Sequence, residues 1–135
     1  MQHFITSTFI IVGLINFAPI TGLLGAERLI AGSGIDSPSN DMVLLLQHRA
    51  VLFGIIGAVI ILAAFQKNLR PLASSMALIS MISFLFLFDF SQNPNPKIML
   101  IAQIDLVATL LLILAMLISF MRQKKNDILH KNAPN

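Results

Sequence analysis

The residues of this chain that could do chemistry are few, and they sit where water is scarce. Asp105 lies in an apolar run, 98–121, and the pair His48-Arg49 lies inside another, 42–65. Asn16 and Gln103 join them at a comparable depth. A carboxylate beside an imidazole can exchange a proton, since histidine titrates near neutral pH. A guanidinium can instead engage a carbonyl or an anionic headgroup while a carboxylate holds it in place. An ionised acid inside a membrane helix costs roughly 2.5–3.5 kcal/mol on insertion scales, so Asp105 requires a partner or water. His48-Arg49 is the candidate partner.

The elements that must position these groups follow from the apolar runs, at about 4–24, 42–65, 71–90 and 98–121. A run of about 20 apolar residues crosses the roughly 30 Å hydrocarbon core of a bilayer as a helix. Of 135 residues, 56% are hydrophobic and 11% charged, against about 25% charged in soluble domains. The predicted fold is all-α: an integral membrane, up-down four-helix bundle forming one domain, 1–121. A polar tail, 122–135, follows and is expected to fray. The chain has no cysteine, which excludes disulfides, thiol catalysis and cysteine metal sites.

The breaks between runs are well marked. Gln66-Lys67-Asn68-Leu69-Arg70-Pro71 is a tight polar turn, with Pro71 suited to the first turn of a helix. Ser91-Gln92-Asn93-Pro94-Asn95-Pro96 reads as a loop. Between Gly25 and Asp41 the connection is longer. Its residues 26–31 read either as a short interfacial helix closed by Gly32-Ser33-Gly34 or as a plain linker, and Ser37-Pro38 offers an N-cap for the second span. The first run is read as a retained span rather than a signal peptide. No Lys or Arg precedes it, and cleavage after Ala26 would put Leu24 where a small residue is wanted.

Charge sets the expected orientation. Lys67 and Arg70 share a side with Arg122, Lys124, Lys125 and Lys131, while the other connections hold Arg28 and Lys97 together with Glu27, Asp36, Asp41 and Asp89. The positive-inside rule then makes both termini cytoplasmic. In that frame His48 and Arg49 lie six and seven residues past Met42, about 9–10 Å below the outer edge. Gln103 and Asp105 lie five and seven residues past Ile98, about 8–10 Å down, and Asn16 is about 12 Å down. Three helices thus deliver polar groups to one level of the outer half. The alternative is structural: Arg49 and Asp105 form a buried pair that fixes register, with the amides and His48 satisfying neighbours. His48 and Arg49 point about 100° apart and cannot both face Asp105 squarely.

Other features read as packing. Ala50, Gly54 and Ala58 form a stripe that permits close helix approach, with Gly57 beside it, and Ala73, Ala77 and Ser80 form another. Pro19 removes one helical bond, leaving the Ile15 carbonyl free near Asn16. The alternating phenylalanines from Phe84 to Phe90 read as lipid contact, and the seven methionines as gap-fillers. No catalytic, nucleotide or cofactor motif occurs, and His3, His48 and His130 fall at different depths, against a histidine metal site.

Gly13-Leu14-Ile15-Asn16-Phe17-Ala18-Pro19-Ile20-Thr21-Gly22, followed by Leu44-Leu45-Leu46-Gln47-His48-Arg49-Ala50-Val51-Leu52-Phe53-Gly54-Ile55-Ile56-Gly57 and an Asp in the fourth span, Asp105, resembles a family of small four-helix bacterial membrane proteins that are broadly DoxX-like. The resemblance covers nearly all of the chain before the tail and implies a multi-pass protein of the cell inner membrane. It carries no settled activity. Some similar sequences bear the label phosphopantetheine adenylyltransferase, but the Gly-His pair of that soluble enzyme's nucleotide motif is missing here.

Three functional readings result. The first is a binding protein holding a small amphiphile, such as a quinone or lipid, against Asn16, His48, Arg49, Gln103 and Asp105. The second is an enzyme or proton-coupled carrier exchanging protons between His48 and Asp105. The third is an accessory subunit of a membrane complex, docking a partner helix or a second copy of the chain through Ala50, Gly54 and Ala58. Carriers usually need repeats or broken spans, and Pro19 is the one breaker here. The basic residues lie at segment ends, as orientation signals do, and do not form a nucleic-acid footprint.

Overall fold

The computed structural model describes residues 2–35 and 37–131. Every regular element among them is helical. In chain order they are α1 (Gln2–Phe17), a 3-10 segment (Ala18–Leu24), α2 (Ala26–Ser33), α3 (Asn40–Phe65), a short 3-10 turn (Lys67–Leu69), α4 (Arg70–Asp89) and α5 (Pro96–Lys131). Four helices are long and apolar enough to cross a membrane: Gln2–Leu24, Asn40–Phe65, Lys67–Asp89 and Pro96–Arg122. The chain is a multi-pass membrane protein.

Each helix begins and ends for a local reason. Pro19 cannot donate to the helical ladder, and α1 tightens into the 3-10 segment just before it. α2 stops at Gly34, whose φ of 68° places it in the left-handed region that glycine tolerates. The cap of α3 is Ser39, whose hydroxyl accepts from the Met42 N–H at 3.2 Å, and not the expected Ser37. Ser37 has φ +55°, whereas an N-cap needs extended backbone, so Pro38 stays outside the helix. Pro71 does occupy the first turn of α4. Asn95 caps α5 by accepting from the N–H groups of Lys97 and Ile98 at 3.0 and 2.9 Å.

The interfacial segment forms a real helix. α2 turns Leu29 and Ile30 toward the bundle, leaves Glu27 and Arg28 exposed, and packs on the 3-10 segment, α3 and α5. Its C-terminal carbonyls are tied down from the far connection: Asn95 Nδ2 donates to Ser33 O at 3.0 Å, and Lys97 Nζ donates to Ala31 O. α5 runs on to Lys131 instead of fraying from 122, because Arg, Gln and Lys are good helix formers and extend an existing helix at no nucleation cost. Residues 132–135 of the expected tail lie outside the described residues, as does Asp36.

α1 and α4 each pack against both α3 and α5, which leaves α3 and α5 diagonal and parallel across the bundle. The interior is built of small residues. Ala63, Ala64, Ala73, Ala77, Ala108 and Ala115 are buried around Phe9, Ile5, Ile60, Met81 and Leu112. Large side chains such as Leu62, Leu72, Ile79 and Phe120 point outward. Lipid is as apolar as leucine, so close packing rather than hydrophobic sequestration joins the helices, and small residues permit that approach. It is tightest between α1 and α3. A Cβ on Gly57 would lie 2.6 Å from Phe17 N and 2.7 Å from the Gly13 carbonyl oxygen. Of the small-residue stripe, Ala50 and Gly54 are buried, Gly54 beneath Ile20, while Ala58 is half-buried.

Candidate functional site

Asp105 is buried in the bundle, at 8% exposure. Its backbone carbonyl accepts from Thr109 Oγ1 at 2.7 Å, but its carboxylate receives no hydrogen bond from the described residues. Among the described residues, Ser74 Oγ is the one fully enclosed side-chain polar atom without a partner. The Asp105 carboxylate oxygens are not among such fully enclosed atoms. No acid lies within 4.0 Å of a basic nitrogen among the described residues, so Asp105 is not consumed by a direct ion pair either.

The cation whose field reaches Asp105 is Arg49, on the diagonal helix. Arg49 stands nine residues past Asn40 and Asp105 nine past Pro96, so each sits about 13–14 Å from the start of its own helix. Arg49 is exposed on the outer flank of α3, and its guanidinium lies over two aromatic faces, Phe53 at 5.0 Å and Phe84 at 5.1 Å. An aromatic face attracts a cation by roughly 0.5–2 kcal/mol, more where water is excluded. The rings fix the position of the guanidinium while leaving its N–H donors without an acceptor among the described residues. Phe84, expected to face lipid, is thus one wall of the site, whereas Phe86 and Phe90 are exposed at 63% and 71%.

The remaining polar residues divide. Asn16 is buried at 3% exposure, and its Nδ2 donates to Val12 O at 2.9 Å, which leaves the amide oxygen uncommitted. Gln103 is exposed although Asp105 is buried, because two residues on a helix differ by about 200°. Depth alone had placed them together; the helical wheel separates them. His48 is exposed beside Arg49. No group of histidine and acidic residues suited to a metal ion occurs among the described residues, and the His130 side chain lies outside them.

A two-pronged arrangement results. A hydrogen-bond donor cation is held by aromatics on α3 and α4, and on α5 a buried carboxylate within its field has no hydrogen bond among the described residues. A guanidinium recognises carbonyl or phosphate oxygens, and a carboxylate accepts from hydroxyl or N–H groups. The residues missed from the sequence are Phe53 and Phe84. Phe53 follows Arg49 by one helical turn, a spacing at which a side-chain contact could have been anticipated. The chain matches no protein-family model, no curated protein and no solved structure.

Proposed function

We propose that this is a DoxX-like protein of the bacterial inner membrane, with both termini cytoplasmic, that binds a small amphiphile such as a quinone or lipid in the outer half of the bilayer. The observation that carries the reading is the buried carboxylate of Asp105, without a hydrogen bond among the described residues, in the field of the aromatic-clamped cation of Arg49. A purely structural network in apolar surroundings is expected to be closed and saturated, since half-satisfied groups are costly there. Here donors and acceptors are left over on both sides.

In this reading Arg49 engages a ligand carbonyl or anionic headgroup, Asp105 balances its charge and accepts from a ligand hydroxyl, and the Asn16 amide oxygen is a third anchor. Mass spectrometry of small molecules extracted from the purified chain tests it. A reproducible ligand in the wild type that is lost in Arg49→Leu supports binding. A stoichiometric co-purified protein with no small molecule would replace this reading with that of an accessory subunit.

A further inference from the structure

The opposite end of the bundle carries a second polar feature, made by different residues. A cleft of about 400 Å³ opens where the start of α1, the α3–α4 turn and the last membrane turns of α5 meet. Lys67, Arg70 and Arg122 line it with the uncharged hydrogen-bonding groups of Gln2, Asn68 and Ser119, and no carboxylate is among its walls in the described residues. The N-termini of α1 and α4 open onto it at Gln2 and at Arg70-Pro71, adding the positive ends of two helix dipoles. Buried Ile5 contributes its apolar floor.

Arg70 is a built part of that wall. Its Nε donates to Ala63 O and its Nη2 to Ala64 O, both at 3.1 Å, and its guanidinium lies 5.5 Å from the Phe9 ring centroid. Those bonds satisfy carbonyls in the last turn of α3 and hold the fork in place, with donors still to spare. Lys67 and Arg122 are exposed and free to close on a ligand from either side. Immediately next in the chain, Phe65, Leu72, Phe120 and Met121 are exposed apolar side chains. The cations therefore stand where a membrane helix surface gives way to headgroups, with acyl-chain contacts beside them.

We propose that this cleft seats the phosphate headgroup of an anionic phospholipid from the leaflet at the basic end of the bundle. Three cations, two dipole ends and neutral donors suit a phosphodiester, and the apolar flank suits its acyl chains. A free anion would use the same cations but not the flank.

The test is native mass spectrometry of the detergent-solubilised full chain titrated with phosphatidylglycerol, cardiolipin or phosphatidylcholine. The anionic lipids should be retained in preference to phosphatidylcholine. Lys67→Gln/Arg122→Gln alters only exposed side chains and should weaken that retention about 30-fold, at about 1 kcal/mol for each charge removed. Circular dichroism confirms that the variant is folded. Equal retention of neutral and anionic lipid, or an unchanged preference in the double variant, overturns the proposal. Displacement of the lipid by an equimolar amount of inorganic phosphate would also overturn it, by showing that the flank adds nothing.

Discussion

Arg49 and Asp105 stand nine residues into two parallel helices that do not pack on each other, the guanidinium exposed and the carboxyl buried. A diagonal pair is held apart by the helices between it. The relationship is therefore electrostatic rather than a direct ion pair.

Replacing Asp105 separates charge balance from ligand contact. Asp105→Leu alone strands the Arg49 charge. The cost should stay near 1–2 kcal/mol, below the 3–5 kcal/mol of a broken buried pair, because Arg49 is exposed and makes no direct contact. Asp105→Leu/Arg49→Leu should recover thermal stability in detergent but not ligand retention or cellular activity. Recovery of all three would reduce the pair to a structural device.

The α1–α3 crossing gives a sharper packing test. Gly57→Ala drives a methyl into the backbone of Phe17 and Gly13, which cannot move without separating the helices. Overpacking of this kind costs about 1–3 kcal/mol. In Gly54→Ala the methyl meets first the Cδ1 end of Ile20, which can rotate, so this variant should be milder. Gly32→Ala meets nothing and should be silent. Midpoints of thermal aggregation for the three proteins check the order, and a Gly32 variant worse than Gly57→Ala would contradict it.

Asn95 has two tasks that can be separated. Its Oδ1 caps α5, and its Nδ2 donates to Ser33 O and Gly34 O at the end of α2. Asn95→Asp keeps an acceptor for the α5 cap but loses the donor and sets a charge against carbonyl oxygens. Asn95→Ala loses both, including about 1 kcal/mol of capping. Hydrogen exchange should show α2 amides opening in both variants, and the first turn of α5 opening only in Asn95→Ala.

Arg70 should be intolerant of shortening. Arg70→Ala frees two α3 carbonyls, and Arg70→Lys can reach one of them at best, since an ammonium lacks the planar fork. A loss of about 1–3 kcal/mol in the alanine variant, partly recovered by lysine, is expected in unfolding measurements.

Orientation is tested by labelling from outside intact cells. Gln92→Cys is preferable to a cysteine at Asn93, whose φ of 54° is left-handed. With both termini cytoplasmic, the cysteine at 92 should react with an impermeant reagent and one at Lys124 should not.

The four spans were legible in the sequence because length and apolarity decide them, and the burial of Asp105 was legible because one acid among apolar neighbours has few places to go. Pro71 and Gly34 announced their roles through local backbone preferences. What stayed hidden was mostly relational. Gln103 and Asp105 share a depth but not a face, Arg49 lies against Phe84 across a helix boundary, and Arg70 reaches back six and seven residues to the carbonyls of α3. The Ser39 cap was missed for another reason. Two serines flank Pro38, and the choice between them rests on backbone dihedrals that the residue types do not specify.

The 3-10 segment after Pro19 has a geometric consequence for how the protein meets its bilayer. A 3-10 turn rises about 2.0 Å per residue against about 1.5 Å for an α-helix. Over the seven residues Ala18–Leu24 the difference adds about 3–4 Å of reach without an extra residue. The first span, 23 residues against 26 and 27 in the two diagonal spans, is thereby stretched toward their length. Hydrophobic thickness is thus matched on this side of the bundle by pitch rather than by residue count.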